Sequence, residues 1–84
     1  MSTRALGYVW TAGDGETVVV GDTAIAEAGA GGKVQAGWFG ELRLRYYDAG
    51  ADRFRTRIGY IGEGGLLPDT AYRLNADNEF EVVP

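Results

Sequence analysis

The stretch GDTAIAEAGAGG, residues 21–32, has two readings, and the choice between them separates an α+β chain from an all-β one. In the first, Asp22 caps a short helix that runs through Ala28 and ends at Gly29, with the alanines supplying helix propensity. A helix that short depends on tertiary packing to persist. In the second, the same residues form a strand followed by a mobile loop. The segments on either side favour strands. Before it, TVVV (17–20) is a β-branched run bounded by Gly15 and Gly21. After it, KVQAGWFGELRLRYY (33–47) reads as one long strand, bent or bulged at Gly37 or Gly40.

Working outward, ALGYVW (5–10) predicts a first strand, and TAGDGE (11–16) a turn that joins it to 17–20 as a hairpin. DAGAD (48–52) turns the chain between 33–47 and RFRTRIGYI (53–61), the clearest hairpin in the sequence. GEGGLLPD (62–69) reads as a loop with Leu66 and Leu67 buried beneath it. TAYRL (70–74), the polar turn NADN (75–78) and EFEVV (79–83) close the chain, with Phe80 and Val82 facing in and Glu79 and Glu81 facing out. Fourteen glycines against two prolines suit many short strands with turns between them. No internal repeat or low-complexity tail is recognised. The expected fold is mainly β, with α+β as the alternative: a small twisted antiparallel sheet or partly closed barrel of five to six strands, with at most one or two short helices.

Eighty-four residues predict a single domain spanning 1–84. A chain of that size buries roughly 60 to 65% of the surface its unfolded form exposes, so modest stability is expected. The absence of cysteine rules out disulfides and thiolate metal sites and fits a reducing compartment. MSTRALGYVW (1–10) has neither the charge nor the apolar run of a signal peptide or membrane span, so a soluble, cytoplasmic protein is expected. Residues 1–40 carry a net charge of −2, 41–57 one of +2 and 58–84 one of −4, which sum to the −4 of the whole chain. A net negative field opposes nucleic acid and membranes at long range.

The chemistry of catalysis is sparse. There is no histidine and no cysteine, and Ser2 is the only serine, so imidazole bases, imidazole metal sites and thiol nucleophiles are excluded. The twelve acids scatter over turns and outward strand positions rather than pairing as a carboxylate dyad. AGAGGKV (28–34) lacks the leading glycine and the magnesium-binding hydroxyl of a phosphate loop. GDGE (13–16) and DNEFE (77–81) lack calcium-loop spacing. No enzyme activity, cofactor or metal is expected. RYYDAGADRF (45–54) resembles the end of a YD-repeat, but the proline and the Asp-Pro that follow in that family are missing, and no residue is carried over.

Three surfaces stand as candidates for a partner. If odd residues of the 41–61 hairpin share a face, Arg43, Arg45, Arg53, Arg55 and Arg57 line up beside Tyr47. Those arginines need neutralising, because opposed like charges weaken a sheet by roughly 0.2–1 kcal/mol per pair. The chain's own Glu41, Glu79 and Glu81 offer one solution, an acidic protein partner a second, and a phosphate backbone a third. The second surface is acidic: Glu63, Asp69, Asp77, Glu79 and Glu81. The third is the pair Trp38 and Phe39, because neighbours in a regular strand cannot both face inward. Trp10, Trp38, Phe39, Phe54 and Phe80 are otherwise expected in the core, which in a small domain needs its large side chains.

These features describe a small, acidic, non-catalytic protein-binding module, acting as a monomer or homodimer. Its profile is that of a stoichiometric inhibitor, such as a phage anti-defence (anti-CRISPR) protein or a toxin-immunity protein. The partner is expected to be a protein, such as one that itself binds nucleic acid, with direct nucleic-acid binding disfavoured by the net charge. A structural β module of a virion or other assembly is the alternative. A polyanion binder working through the arginine face is the third reading.

Overall fold

The computed structural model describes residues 8–84. Its elements are β1 (Val9–Thr11), β2 (Thr17–Val19), β3 (Ile25–Ala28), β4 (Lys33–Gln35), β5 (Glu41–Asp48), β6 (Arg53–Tyr60), β7 (Tyr72–Leu74) and β8 (Phe80–Val82). They form two four-stranded sheets of order β1-β3-β5-β6 and β2-β4-β7-β8. Both are mixed: β1, β3 and β5 run parallel, as do β2 and β4, while β6, β7 and β8 join antiparallel. Among the described residues there is no helix, so the capped helix at 22–28 gives way to strand β3. The expected antiparallel sheet or partly closed barrel is replaced by two mixed sheets. The expected first hairpin is absent, because β1 and β2 belong to different sheets. The strand expected at 5–10 falls partly outside the described residues.

The parallel register explains this architecture. Val9 pairs with Ile25 and Ile25 with Glu41, while Thr17 pairs with Lys33, so each strand lies beside the one sixteen residues later. The chain is winding as a flattened coil, two strands to a turn. A repeat is therefore present after all, with a period of eight: VWTAGDGE (9–16), TVVVGDTA (17–24), IAEAGAGG (25–32), KVQAGWFG (33–40) and ELRLRYYD (41–48). Its second and fourth residues point inward. Val18, Val20, Ala26, Ala28, Val34, Ala36, Leu42 and Leu44 are all buried. Its fifth residue is glycine until Arg45, and its seventh has positive φ at Gly15, Thr23, Gly31 and Phe39. A stack of units that cannot bury their own apolar face but bury one another's is the physical basis of repeat folds. The period escapes notice because the inward residues change size and Trp38-Phe39 interrupts the small-residue turns. The strand expected across 33–47 is two strands divided by one of these turns.

A polar ladder holds the corners in register. The Asp14 carboxylate accepts the backbone N–H of Ala30 at 3.0 Å, and Asp22 accepts that of Trp38 at 2.9 Å. The residue before each donor must be glycine. A Cβ on Gly29 would lie 2.8 Å from the amide nitrogen of Asp14, one on Gly37 would lie 2.8 Å from that of Asp22, and each would lie closer still to the carboxylate. Ala30 takes the aspartate's place in the third corner and Arg45 takes the glycine's place above it. There the chain stops turning and β5 runs straight on for eight residues.

The coil is then closed off. Ile61 rejoins it by donating its backbone N–H to Gly40 at 3.0 Å, and β7 docks antiparallel on β4 through the Val34–Tyr72 pair. Leu66 and Phe80 pack against the core, and Gly59 makes room for them: a Cβ there would lie 2.8 Å from the Phe80 ring. Leu67, expected to be buried, is exposed, and so is Val82. At this end antiparallel hairpins take the place of the parallel coils, and β6 and β8 become the outer strands of the two sheets.

Small side chains fill the interior. Four alanines (24, 26, 28 and 36) are completely or almost completely buried, and Tyr72 is the one buried aromatic among the described residues. Its hydroxyl accepts the N–H of Leu67 at 2.8 Å. The expectation that Trp10, Trp38, Phe39 and Phe54 form the core is therefore wrong. All four are exposed, and Phe80 alone of that group packs on the core, half-buried. The buried positions of β2 to β5 hold alanine, valine and leucine, and the one buried ring, Tyr72, enters from β7, after the coil has ended.

Candidate interaction surfaces

The hairpin does not assemble the five-arginine face. Asp48 pairs with Arg53, Tyr47 with Phe54 and Tyr46 with Arg55, so odd residues of β5 oppose even residues of β6. Residues directly opposite in an antiparallel pair share a face, and a one-residue slip reverses the whole strand. A five-residue turn at 48–52 would have joined odd to odd, but Asp48 belongs to the ladder and only 49–52 form the loop. The outer face therefore carries Arg43, Arg45 and Tyr47 with Phe54, Thr56, Ile58 and Tyr60. Arg53, Arg55 and Arg57 lie on the other face with Leu42, Leu44 and Tyr46. Arg53 and Arg55 remain exposed because the hairpin projects past the core.

Most of the positive charge is already matched. Arg43 pairs with Glu41, as expected, and Arg57 with Glu79 at 3.4 Å while donating to the Asn78 carbonyl at 2.8 Å. Arg55 pairs with Asp48 at 2.7 Å, and Glu81 is taken by Arg73 rather than by a hairpin arginine. Exposed pairs of this kind contribute about 0–1 kcal/mol each. The Arg55 hydrogen bond, then the Ala51 N–H, hold the Asp48 carboxyl below its ordinary value. Arg45 and Arg53 have no carboxylate partner among the described residues. Arg45 instead lies 5.1 Å from the centroid of the Phe54 ring, which meets Tyr47 edge-on at 5.3 Å. The Tyr47 hydroxyl donates to Asp52, which raises the phenol above its ordinary value.

The expected acidic surface is likewise divided. Glu79 and Glu81 are engaged in ion pairs, and Asp77 sits in the turn between β7 and β8, held by Asn75. Glu63 and Glu79 rim one groove of about 420 Å³, with Arg57, Ile58, Tyr60 and Phe80 lining it. Glu63 and Asp69 stand free of ion pairs among the described residues, in the segment that returns the chain from β6 to β7.

Trp38 and Phe39 form the most exposed aromatic feature. They occupy the sixth and seventh places of the repeat, where the other corners have Asp14-Gly15, Asp22-Thr23 and Ala30-Gly31. Phe39 has φ 60° and is 78% exposed, and Trp38 is 52% exposed. Positive φ is uncommon for any residue but glycine, and a genuine outlier for a bulky one. Nothing in the packing of the coil calls for an aromatic at either place. The two rings lie 6.3 Å apart and tilted.

Two apolar exposures were not foreseen as sites: the outward row Phe54, Ile58 and Tyr60 on β6, and Trp10. Trp10 stands in the inward column with Ala26 and Leu42, yet is 62% exposed, β1 being the outermost strand of its sheet among the described residues. The β6 row was legible as a period-two pattern, but its direction depended on the loop register. Among the described residues, no helix is long and apolar enough to cross a membrane, and no carboxylate cluster is placed to hold a metal ion. Comparison with protein-family models, curated proteins and solved structures finds no match to this chain.

Proposed function

We propose that this chain is a non-catalytic protein-binding module that acts by occupying a partner's surface, in the manner of a stoichiometric inhibitor. Phage anti-defence proteins of the anti-CRISPR kind and toxin-immunity proteins are the biological settings that suit it. The observation that carries this reading is the inversion of side-chain size: small residues inside, large aromatics outside. Trp38, Phe39, Tyr47, Phe54, Ile58 and Tyr60 are exposed on a domain whose core does not use them. Aromatic residues and arginine are the types enriched at interface hot spots. Matching of most arginines by internal carboxylates speaks against a polyanion partner, as does the net charge of −4.

The test is affinity capture from the native host with three versions of the protein: wild type, Trp38→Ala/Phe39→Gly, and Arg45→Gln/Arg53→Gln. Circular dichroism and melting are recorded on each. Loss of one specific protein by a variant that keeps its fold supports the reading. Catalytic turnover by the purified chain overturns it.

A second reading, a structural module of a larger assembly, is supported by one specific observation. Among the described residues β1 and β2 are the outermost strands at the parallel end of the two sheets, with Trp10 above the core column, and neither strand carries a charge. Sedimentation at rising concentration separates the readings, because an assembly subunit forms a defined oligomer.

A further inference from the structure

We infer that the corner built around Trp38 and Phe39 is the docking end of the molecule, and that it fits a cationic surface with an apolar socket on another protein. This deepens the protein-binding reading and rests on it. Three segments meet at that corner. Thr23 donates its backbone N–H to the Trp38 carbonyl at 2.8 Å, and Asp22 accepts that of Trp38. Ile61 donates to Gly40, and Asp69 donates its backbone N–H to Ala36 at 2.8 Å, tying both ends of the 61–69 loop to the same turn. A Cβ on Gly62 would touch the Trp38 ring at 3.9 Å.

The composition of these segments is one-sided. Residues 20–24, 36–40 and 61–71 contain Asp22, Glu63 and Asp69 and not one lysine or arginine. All three acids are exposed, as are Trp38, Phe39 and Leu67. Elsewhere Arg43, Arg55, Arg57 and Arg73 are matched by carboxylates, whereas among the described residues the segments of this corner set carboxylates beside an aromatic protrusion with no cation of their own. Two rings inserted into a socket exclude water, and desolvation strengthens the attraction between the surrounding carboxylates and a cationic rim. An anionic lipid surface or nucleic acid would be repelled by the same carboxylates.

The repeat gives the same turn at 21–24 and 29–32 without aromatics, so the fold does not need them. Phe39 retains a bulky side chain at positive φ, where Gly15 and Gly31 stand in equivalent corners. Unfavourable local conformations persist where surrounding structure or function holds them.

The experiment is a titration of the full chain, followed by backbone amide NMR and tryptophan emission, with a short peptide alternating leucine and arginine. A matched leucine–glutamate peptide and neutral phosphatidylcholine vesicles serve as comparisons. The proposal expects amide shifts concentrated in 22–23, 37–39 and 62–69 and a blue-shifted emission. It expects at least tenfold weaker binding by Trp38→Ala/Phe39→Gly, and weaker binding by Glu63→Gln/Asp69→Asn. Absence of binding overturns it, as does binding unchanged in Trp38→Ala/Phe39→Gly, or equal uptake by the anionic peptide or by vesicles. Phe39→Gly alone, at a position where glycine stands in two of the three equivalent corners, shows whether any loss reflects unfolding. If a host protein is captured by Trp38→Ala/Phe39→Gly as by wild type but lost by Arg45→Gln/Arg53→Gln, the corner is wrong while the protein-binding reading stands.

Discussion

Asp22 accepts the backbone N–H of Trp38 at 2.9 Å, sixteen residues further on, and Asp14 does the same for Ala30 at 3.0 Å. The same carboxylate that keeps two coils in register therefore also positions the aromatic turn. Asp14→Ala or Asp22→Ala removes a hydrogen bond of the helix-cap kind and is expected to cost about 1 kcal/mol. Gly37→Ala, which drives a methyl into Asp22, is expected to cost more, about 1–3 kcal/mol as overpacking does. Urea denaturation of the three variants checks the order.

Phe39 offers the opposite sign. A left-handed conformation costs an L-residue about 1–2 kcal/mol. Glycine removes that cost while adding about 0.5–1 kcal/mol of unfolded-state entropy. Phe39→Gly is therefore expected to stabilise the free protein by about 0.5–1 kcal/mol, raising Tm by a few degrees. Calorimetry would settle it. A destabilised variant would mean that the ring packs in a way its 78% exposure does not suggest.

Alternation along the repeat should be visible in mutational cost. Leu42→Ala opens a cavity in the fully buried column and is expected to cost about 2–5 kcal/mol. Val19→Ala, on the outward face of β2, is expected to stay within about 0.5 kcal/mol. If the two costs are equal, the inward assignment of the second and fourth residues fails.

Hairpin stability should respond to pH at both ends of the scale. Asp48, lowered from its ordinary value of 3.8 mainly by the Arg55 hydrogen bond, contributes stability that is fully present above that value. It is lost as pH falls through the lowered value. Tyr47 is raised from 10.0 by its bond to Asp52, so its contribution is present below 10.0 and lost as pH rises through the raised value. Asp48→Asn should flatten the acid limb of the melting profile, and Tyr47→Phe the alkaline limb, each leaving the other unchanged. Melting followed from acid to alkaline pH in wild type and both variants makes the comparison.

By itself the sequence determined a β-rich chain and the boundaries of several of its strands. Glycine and aspartate at regular intervals, with β-branched and alternating runs between them, leave little room for a long helix. TVVV and the arms of the 41–61 hairpin were legible for that reason. It also carried the candidate pair Trp38-Phe39, because two adjacent large aromatics conflict with strand alternation. The absence of histidine and cysteine limited the chemistry before any fold was known.

Only the tertiary structure decided which side of each strand meets the core. In TVVV and IAEA, parallel neighbours sixteen residues away supply the hydrogen bonds. A local reading therefore favoured a hairpin and a helix that do not form. The five arginines were divided by a single residue of loop register. Trp10, Trp38, Phe39 and Phe54 lie outside, while alanine, valine and leucine fill the buried positions of the coil. Local sequence sets which backbone shapes are cheap, but burial depends on what arrives from the next turn of the coil. That is a contact between residues sixteen apart, and neither segment specifies it alone.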